Sequence, residues 1–117
     1  MYVKIYDFIK LGACKGYIKR ASGDVEIIDS SGLPIGVLEN IKPHITKQFI
    51  SNMDMVLFVS DGVEDILGDE LEKFIKINDT INPQQLSDEI LNKALEKTGG
   101  VAQDDMTVLC IRLFEYV

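Results

Sequence analysis

Apolar and polar residues are spaced differently in the two halves of the 117-residue chain. The first half is dominated by short β-rich runs separated by Gly, Asn, Asp and Pro, and such runs predict strands. The predicted strands cover residues 2–9, 16–20, 25–28, 45–50 and 55–60. The last run, Met-Val-Leu-Phe-Val-Ser, is apolar without alternation, which predicts a central strand buried on both faces. A short turn at 51–54 predicts that this strand pairs with the one at 45–50.

The second half carries helical signals. A short helix is predicted at about 70–76, and a longer one begins at Pro83 after the predicted N-cap Asn82. The apolar stripe of the longer helix is formed by Leu86, Ile90 and Ala94 together with the neighbouring Leu91 and Leu95. A final strand is predicted at 106–114. Strands followed by helices indicate an α+β fold with a largely antiparallel sheet and helices on one face.

Composition narrows the classes of function. The 19 acidic and 12 basic residues give a net charge of −7, which argues against nucleic acid or an anionic membrane surface as the main partner. No apolar run approaches the roughly 20 residues of a membrane span, and no signal-peptide pattern opens the chain. A cytoplasmic location is therefore predicted. Cys14 and Cys110 lie in apolar segments without C-x-x-C spacing, so both are predicted to be reduced core residues.

Two acidic motifs are candidates for chemistry. Asp61 and Gly62 follow the apolar run 55–60, whereas Asp104 and Asp105 come directly before the final strand. If the two strands are neighbours, Asp61 and Asp104 emerge side by side, and close carboxylates repel each other unless a cation lies between them. Hard oxygen ligands of this kind suit Mg²⁺ or Mn²⁺. The alternative is that the first pair is an ordinary turn and the second an ordinary connection.

The order and spacing of four segments resemble the metal-dependent PP2C-type (PPM) serine/threonine phosphatases. Residues 54–63 (DMVLFVSDGV) and 104–108 (DDMTV) resemble the two C-terminal motifs of that superfamily. Residues 11–20 (LGACKGYIKR) and 33–38 (LPIGVL) resemble segments of its bacterial stage II sporulation protein E branch. The similarity covers most of the chain, so residues 1–117 are interpreted as the C-terminal part of one phosphatase domain.

The resemblance implies a PP2C-like β-sandwich with flanking helices, incomplete at its N-terminal side, and a centre of two Mn²⁺ or Mg²⁺ ions. Asp61 and Asp104 correspond to metal ligands of the family. Asp105 stands where many relatives have Asn, so a supporting or third-metal role is implied for it. Ser60 and Gly62 are expected to support the site. In this family a metal-activated water attacks the phosphoserine phosphorus, so no side chain is expected to act as a catalytic nucleophile.

The resemblance also implies a biological role. The parent enzyme would be a protein serine/threonine phosphatase that acts on a phosphorylated anti-anti-sigma factor and so activates a sporulation sigma factor. Full-length relatives are tethered to the membrane with this domain facing the cytoplasm, and this chain itself is expected to make no membrane contact.

One departure from the family is important. The family's first Asp-Gly metal motif has no counterpart here, because only Asp7, without a following glycine, precedes Phe8. The isolated chain is therefore expected to bind Mn²⁺ weakly, to be nearly inactive, and to cover its uncovered sheet surface by forming a homodimer. The alternatives are a monomer, a non-catalytic PP2C-like regulatory or protein-binding module, and an unrelated α+β domain with acidic loops.

Overall fold

The computed structural model describes the backbone of residues 3–10, 15–28 and 44–114, with side chains from 15–28 and 48–114. The motif residues 11–14, which include Cys14, and 33–38 lie outside this part. Within the described ranges the elements are β1 (Val3–Lys10), β2 (Gly16–Lys19), β3 (Val25–Ile28), β4 (His44–Ser51), β5 (Met55–Val59), α1 (Asp61–Leu67), α2 (Asp69–Ile77), α3 (Pro83–Lys97) and β6 (Val108–Arg112). None of the helices described is long and apolar enough to cross a membrane.

The strands form two antiparallel sheets. One has the order β3-β2-β5-β6, and the other pairs β1 with β4 along the full length of both strands. The predicted pairing of the strand at 45–50 with β5 is wrong. Both edges of β5 are already occupied, since Leu57 lies opposite Tyr17 of β2 and Cys110 of β6. The turn at 51–54 therefore carries the chain from one sheet to the other.

β5 is buried on both faces, as its unbroken apolar run predicts. Met55, Leu57 and Val59 share a core with the buried residues of the three helices. Val56 belongs to a second core on the opposite face, together with Ile50 of β4. The four-stranded sheet thus lies between a helical layer and the smaller sheet. This architecture confirms the predicted α+β sandwich with helices on one face.

The longer predicted helix is present as α3. The Asn82 side chain caps it, because Oδ1 accepts hydrogen bonds from the backbone N–H of Gln84 at 2.9 Å and of Gln85 at 3.2 Å. Of the five predicted stripe residues, Leu86, Ile90 and Ala94 are fully buried, whereas Leu91 and Leu95 are half-buried. α2 extends the predicted short helix by one residue at each end. Capping and periodicity are therefore sufficient signals for α3, whereas α2 has no capping side chain.

α1 is a difference from the sequence prediction, which has a turn or connection where this helix begins. A helix of seven residues contains too few apolar positions to show a period, and an Asp-Gly pair signals a turn. Its buried residues Val63 and Leu67 lie one helical turn apart and pack against the main core. Gly68 then takes φ +52° and separates α1 from α2. Tertiary packing, rather than local propensity, stabilises this helix.

β6 lies at an edge of the four-stranded sheet in the described part of the chain. Cys110 is half-buried and unbridged, as predicted, and burial raises the pKa of its thiol to about 12. The neighbouring Leu109 and Ile111 are 52% and 41% exposed on the opposite face of the strand. This leaves an apolar surface beside an edge strand, which favours self-association. Formation of a homodimer by the chain stays a prediction.

A buried carboxylate fixes the turn between β4 and β5. Asp54 is 1% exposed. Its Oδ1 accepts a hydrogen bond from the backbone N–H of Ala21 at 2.9 Å, and Oδ2 accepts from the backbone N–H of Ser51 at 2.9 Å. Arg20 Nη1 forms an ion pair with Oδ2 at 3.0 Å. Asp54 therefore connects the β2–β3 turn, the end of β4 and the start of β5.

We expect Asp54→Asn to lower the free energy of unfolding by about 2–4 kcal/mol. Residue 54 then loses the negative charge that pairs with Arg20, and an NH2 donor replaces one of its two acceptor oxygens. Urea denaturation measures the change. Asp65→Asn is the matched control, since Asp65 is an exposed residue of α1 whose side chain makes no hydrogen bond with the described residues. Equal stability of the two variants would contradict the role given to Asp54.

Candidate metal centre

The two acidic motifs meet at one end of the four-stranded sheet. β5 and β6 are antiparallel neighbours, and Val59 lies opposite Val108. Residues that follow β5 are therefore close to residues that precede β6. Asp61 comes just after β5, and Asp104 comes shortly before β6. The neighbouring strands on which the metal hypothesis depended are thus present.

Ser60 joins the two motifs directly. Its backbone N–H donates to the carbonyl of Thr107 at 3.0 Å, and its Oγ accepts from the N–H of Thr107 at 2.9 Å. The same hydroxyl donates to the carbonyl of Asp105 at 3.1 Å. The Ser60 carbonyl accepts from Val63 and Glu64, which begins α1. One residue therefore fixes the Asp-Asp segment against the first turn of α1.

Gly62 explains why a glycine follows the aspartate. A Cβ at this position would lie 2.3 Å from the carbonyl oxygen of Asp105 and 3.4 Å from the Cβ of Asp104. The first distance is far below van der Waals contact, and the obstacle is backbone that has no rotamer to change. Gly62 is buried within α1, so the missing side chain serves close approach of two segments rather than a turn.

The three predicted ligands have exposed side chains. Asp61 is the first residue of α1, where the positive end of the helix dipole favours a carboxylate. Asp104 Oδ1 accepts a hydrogen bond from the backbone N–H of Asp105 at 2.8 Å, which orients that carboxylate. Asp105 contributes its backbone carbonyl to Ser60, as described above. All three residues therefore lie at the same end of the sheet.

The carboxylates at this sheet end are of the right chemical type for a hard divalent cation, but they do not form a complete ligand set among the described residues. Carboxylate oxygens are the ligands that Mg²⁺ and Mn²⁺ prefer. Within the ranges that the structure describes, however, no group of three or more His, Cys, Asp or Glu side chains is arranged to hold a metal ion. The sheet end supplies carboxylates without closing a site around a cation. The assignment of Asp61, Asp104 and Asp105 as metal ligands stays a prediction.

The arrangement of the sheets and helices defines the class of the protein. The fold matches the phosphatase domain of the cell fate determinant SpoIIE from Bacillus subtilis, solved after presoaking with Mn, with a TM-score of 0.81 at 24% identity. That match covers 97% of this chain and 52% of the solved chain. The Mycobacterium tuberculosis serine/threonine phosphatase PstP/Ppp matches with a TM-score of 0.70 at 19% identity, covering 95% and 56%. The chain therefore has a PP2C-type phosphatase fold.

The sequence identifies the family within that class. The chain belongs to the stage II sporulation protein E (SpoIIE) family, whose model matches residues 4–114. Stage II sporulation protein E of Priestia megaterium is 28% identical over 113 residues, covering 92% of this chain and 19% of the relative. The Bacillus subtilis (strain 168) protein is 27% identical over 115 residues, covering 91% and 13%. The chain thus spans less than a fifth of these relatives and about half of the solved phosphatase domains.

We expect Gly62→Ala to destabilise the chain by about 1–3 kcal/mol, because α1 must move away from the Asp105 carbonyl to make room for the methyl group. In an exposed helix position the same change would stabilise, since alanine is the better helix former. Thermal unfolding of Gly62→Ala beside the exposed α1 control Asp65→Ala measures the effect. A melting temperature at or above that of the unchanged chain would contradict the close approach.

Proposed function

We propose that the chain is the C-terminal part of the phosphatase domain of a SpoIIE-type protein serine/threonine phosphatase. The observation that carries this proposal is the meeting of the Ser-Asp-Gly and Asp-Asp motifs through Ser60 at one sheet end. In this proposal Asp61 and Asp104 are ligands to Mn²⁺ or Mg²⁺. Asp105 has a supporting or third-metal role. Family membership and the PP2C-type fold support the assignment.

The chain's own residues would position the carboxylates. A bound divalent metal supplies charge neutralisation and a water of lowered pKa for phosphate ester hydrolysis. Ser60 holds the Asp-Asp segment against α1, and Gly62 removes the side chain that would separate them. No side chain of the chain is assigned as a nucleophile in this mechanism.

The proposed substrate is phosphoserine on an anti-anti-sigma factor, and its hydrolysis would activate a sporulation sigma factor. This part of the proposal rests on membership in a family named for sporulation. The domain would act on the cytoplasmic side of the membrane. A second candidate is a non-catalytic PP2C-like regulatory or protein-binding module. In that candidate Asp61 and Asp104 would hold no catalytic metal.

A chimera tests the proposal. We expect the chain, put in place of the matching half of the Bacillus subtilis phosphatase domain, to support Mn²⁺-dependent release of phosphate from the phosphorylated anti-anti-sigma factor. Asp61→Asn or Asp104→Asn should lower turnover by more than the roughly 10–100-fold that loss of an outer-sphere partner causes. The chain alone should bind Mn²⁺ weakly and show negligible turnover, because it would lack part of the ligand set.

Asp65→Asn is the control, since it makes the same change of charge in α1 beyond its first turn. A thermal melt first establishes that each chimera is folded. A folded Asp104→Asn chimera with full turnover would refute the ligand assignment. A folded chimera with native Asp61 and Asp104 but no turnover would favour the non-catalytic module.

A further inference from the structure

A pocket lies at the end of the four-stranded sheet opposite the acidic motifs. Its volume is about 430 Å³, and it lies between the β2–β3 turn, the start of β5 and the connection from α2 to α3. Met55, the first residue of β5, lines it, whereas Asp61 follows the last residue of that strand. Five strand residues span roughly 17 Å. The pocket is therefore separate from the candidate metal centre.

Cationic side chains are concentrated at this pocket. Four of them, Lys19, Arg20, Lys76 and Arg112, line it with a single carboxylate, Asp79. Arg20 is neutralised by ion pairs with Glu26 and Asp54. Three cations then face one carboxylate, in a chain whose net charge is −7. The pocket lining is thus positive against an acidic background, and a positive concave site concentrates anions.

Lys19 lies in the pocket wall, where its ammonium group is partly removed from water. It is 7% exposed, and its Nζ donates to the backbone carbonyl of Asn78. No carboxylate in the described part of the chain forms an ion pair with it. Burial lowers the pKa of Lys19, and the charge of Asp79 only partly opposes this. A bound anion would add to the partial countercharge that Asp79 supplies.

Arg112 and Lys76 also keep donor capacity. Arg112 Nη1 donates to the carbonyl of Ile81 at 2.7 Å, and its guanidinium lies 5.2 Å from the ring centroid of Phe114. Its Nε is buried and has no hydrogen-bond partner in the structure described. Lys76 is exposed at the end of α2 and makes no ion pair with the described residues. Guanidinium and ammonium groups together suit a phosphate or carboxylate.

The rest of the lining is apolar. Met53 and Met55 contribute from the β5 side. Ile77 at the end of α2 and Ile81 in the connection to α3 contribute exposed side chains. The volume falls in the range of about 300–1,000 Å³ that is typical of small-molecule sites. An inorganic anion would leave most of this space and all of these contacts unused. The lining therefore matches a ligand that has both a charged and an apolar part.

We propose that this pocket binds a small organic anion whose phosphate or carboxylate group lies between Lys19, Lys76 and Arg112. The apolar body of the ligand contacts the methionine and isoleucine side chains. The site is independent of divalent metal and distinct from the carboxylates at the other end of β5.

Phenyl phosphate is the probe that tests the site. It is titrated into the ¹⁵N-labelled chain in the presence of EDTA, and amide shifts are followed by two-dimensional NMR. We expect saturable shifts at residues 19–23 and 76–81. Inorganic phosphate should shift the same amides at about tenfold higher concentration, because it lacks the apolar contact worth about 1.4 kcal/mol. Benzyl alcohol, which lacks the charge, should give no saturable shift, and phenylacetate distinguishes a carboxylate from a phosphate preference.

Variants that remove one positive charge each test which side chains bind the anionic group of the ligand. Lys76→Gln should weaken phenyl phosphate binding several-fold, and Arg112→Gln should weaken it about tenfold or more, as expected for a charge-assisted hydrogen bond. Lys73→Gln is the control, because Lys73 is an exposed residue of the same helix that does not line the pocket. If Arg112→Gln fails to fold, Lys76→Gln still decides, since Lys76 makes no ion pair that its loss would break.

Three results would overturn the proposal. The first is binding of benzyl alcohol as tight as that of phenyl phosphate. The second is equal affinity of Lys76→Gln and Lys73→Gln for phenyl phosphate. The third is loss of binding in Asp104→Asn, which would put the ligand at the acidic end of the sheet. Unchanged binding in Asp104→Asn supports a separate site, whatever the outcome of the phosphatase assay.

Discussion

β5 has apolar side chains on both faces and a paired strand on both edges, and both described hydrophobic cores are built against it. Its helix-facing residues anchor α1, α2 and α3, while Val56 on the other face packs against Ile50 of the smaller sheet. A strand buried in this way has no polar side chain with which to do chemistry. Function is therefore restricted to the two ends of the strand, where the backbone leaves the core.

Each end of β5 is also fixed by hydrogen bonds that reach neighbouring segments. Ser60 forms three with the backbone of the segment before β6, and the Asp54 carboxylate accepts two from backbone N–H groups and one from the Arg20 side chain. Bonds of this kind satisfy backbone groups that strand pairing has left unpaired, so each one stabilises the fold and sets a loop position at once. Substitutions at these residues should therefore affect stability as well as the adjoining site.

The sequence predicts those features that are expressed by periodicity or by local capping. The unbroken apolar run of β5, the Asn82 cap and the buried stripe at Leu86, Ile90 and Ala94 all follow from short-range patterns. The partner of β4 could not be read in the same way, because a four-residue turn specifies a hairpin and a crossing between sheets equally well. Short-range patterns do not predict α1 either, because this helix is stabilised by the packing of Val63 and Leu67 against the core.

The two candidate sites also differ in how far the sequence predicts them. Asp61 and Asp104 adjoin apolar strands, so the sequence predicts their common sheet end once the strands are assumed to be neighbours. The sequence alone gives no reason for a glycine at position 62. The reason is the carbonyl oxygen of Asp105, which would lie 2.3 Å from a Cβ built on Gly62. The basic pocket has no sequence signal at all. Lys19, Lys76 and Arg112 come from three distant elements, and only the pairing of Met55 with both Lys19 and Arg112 brings two of them together.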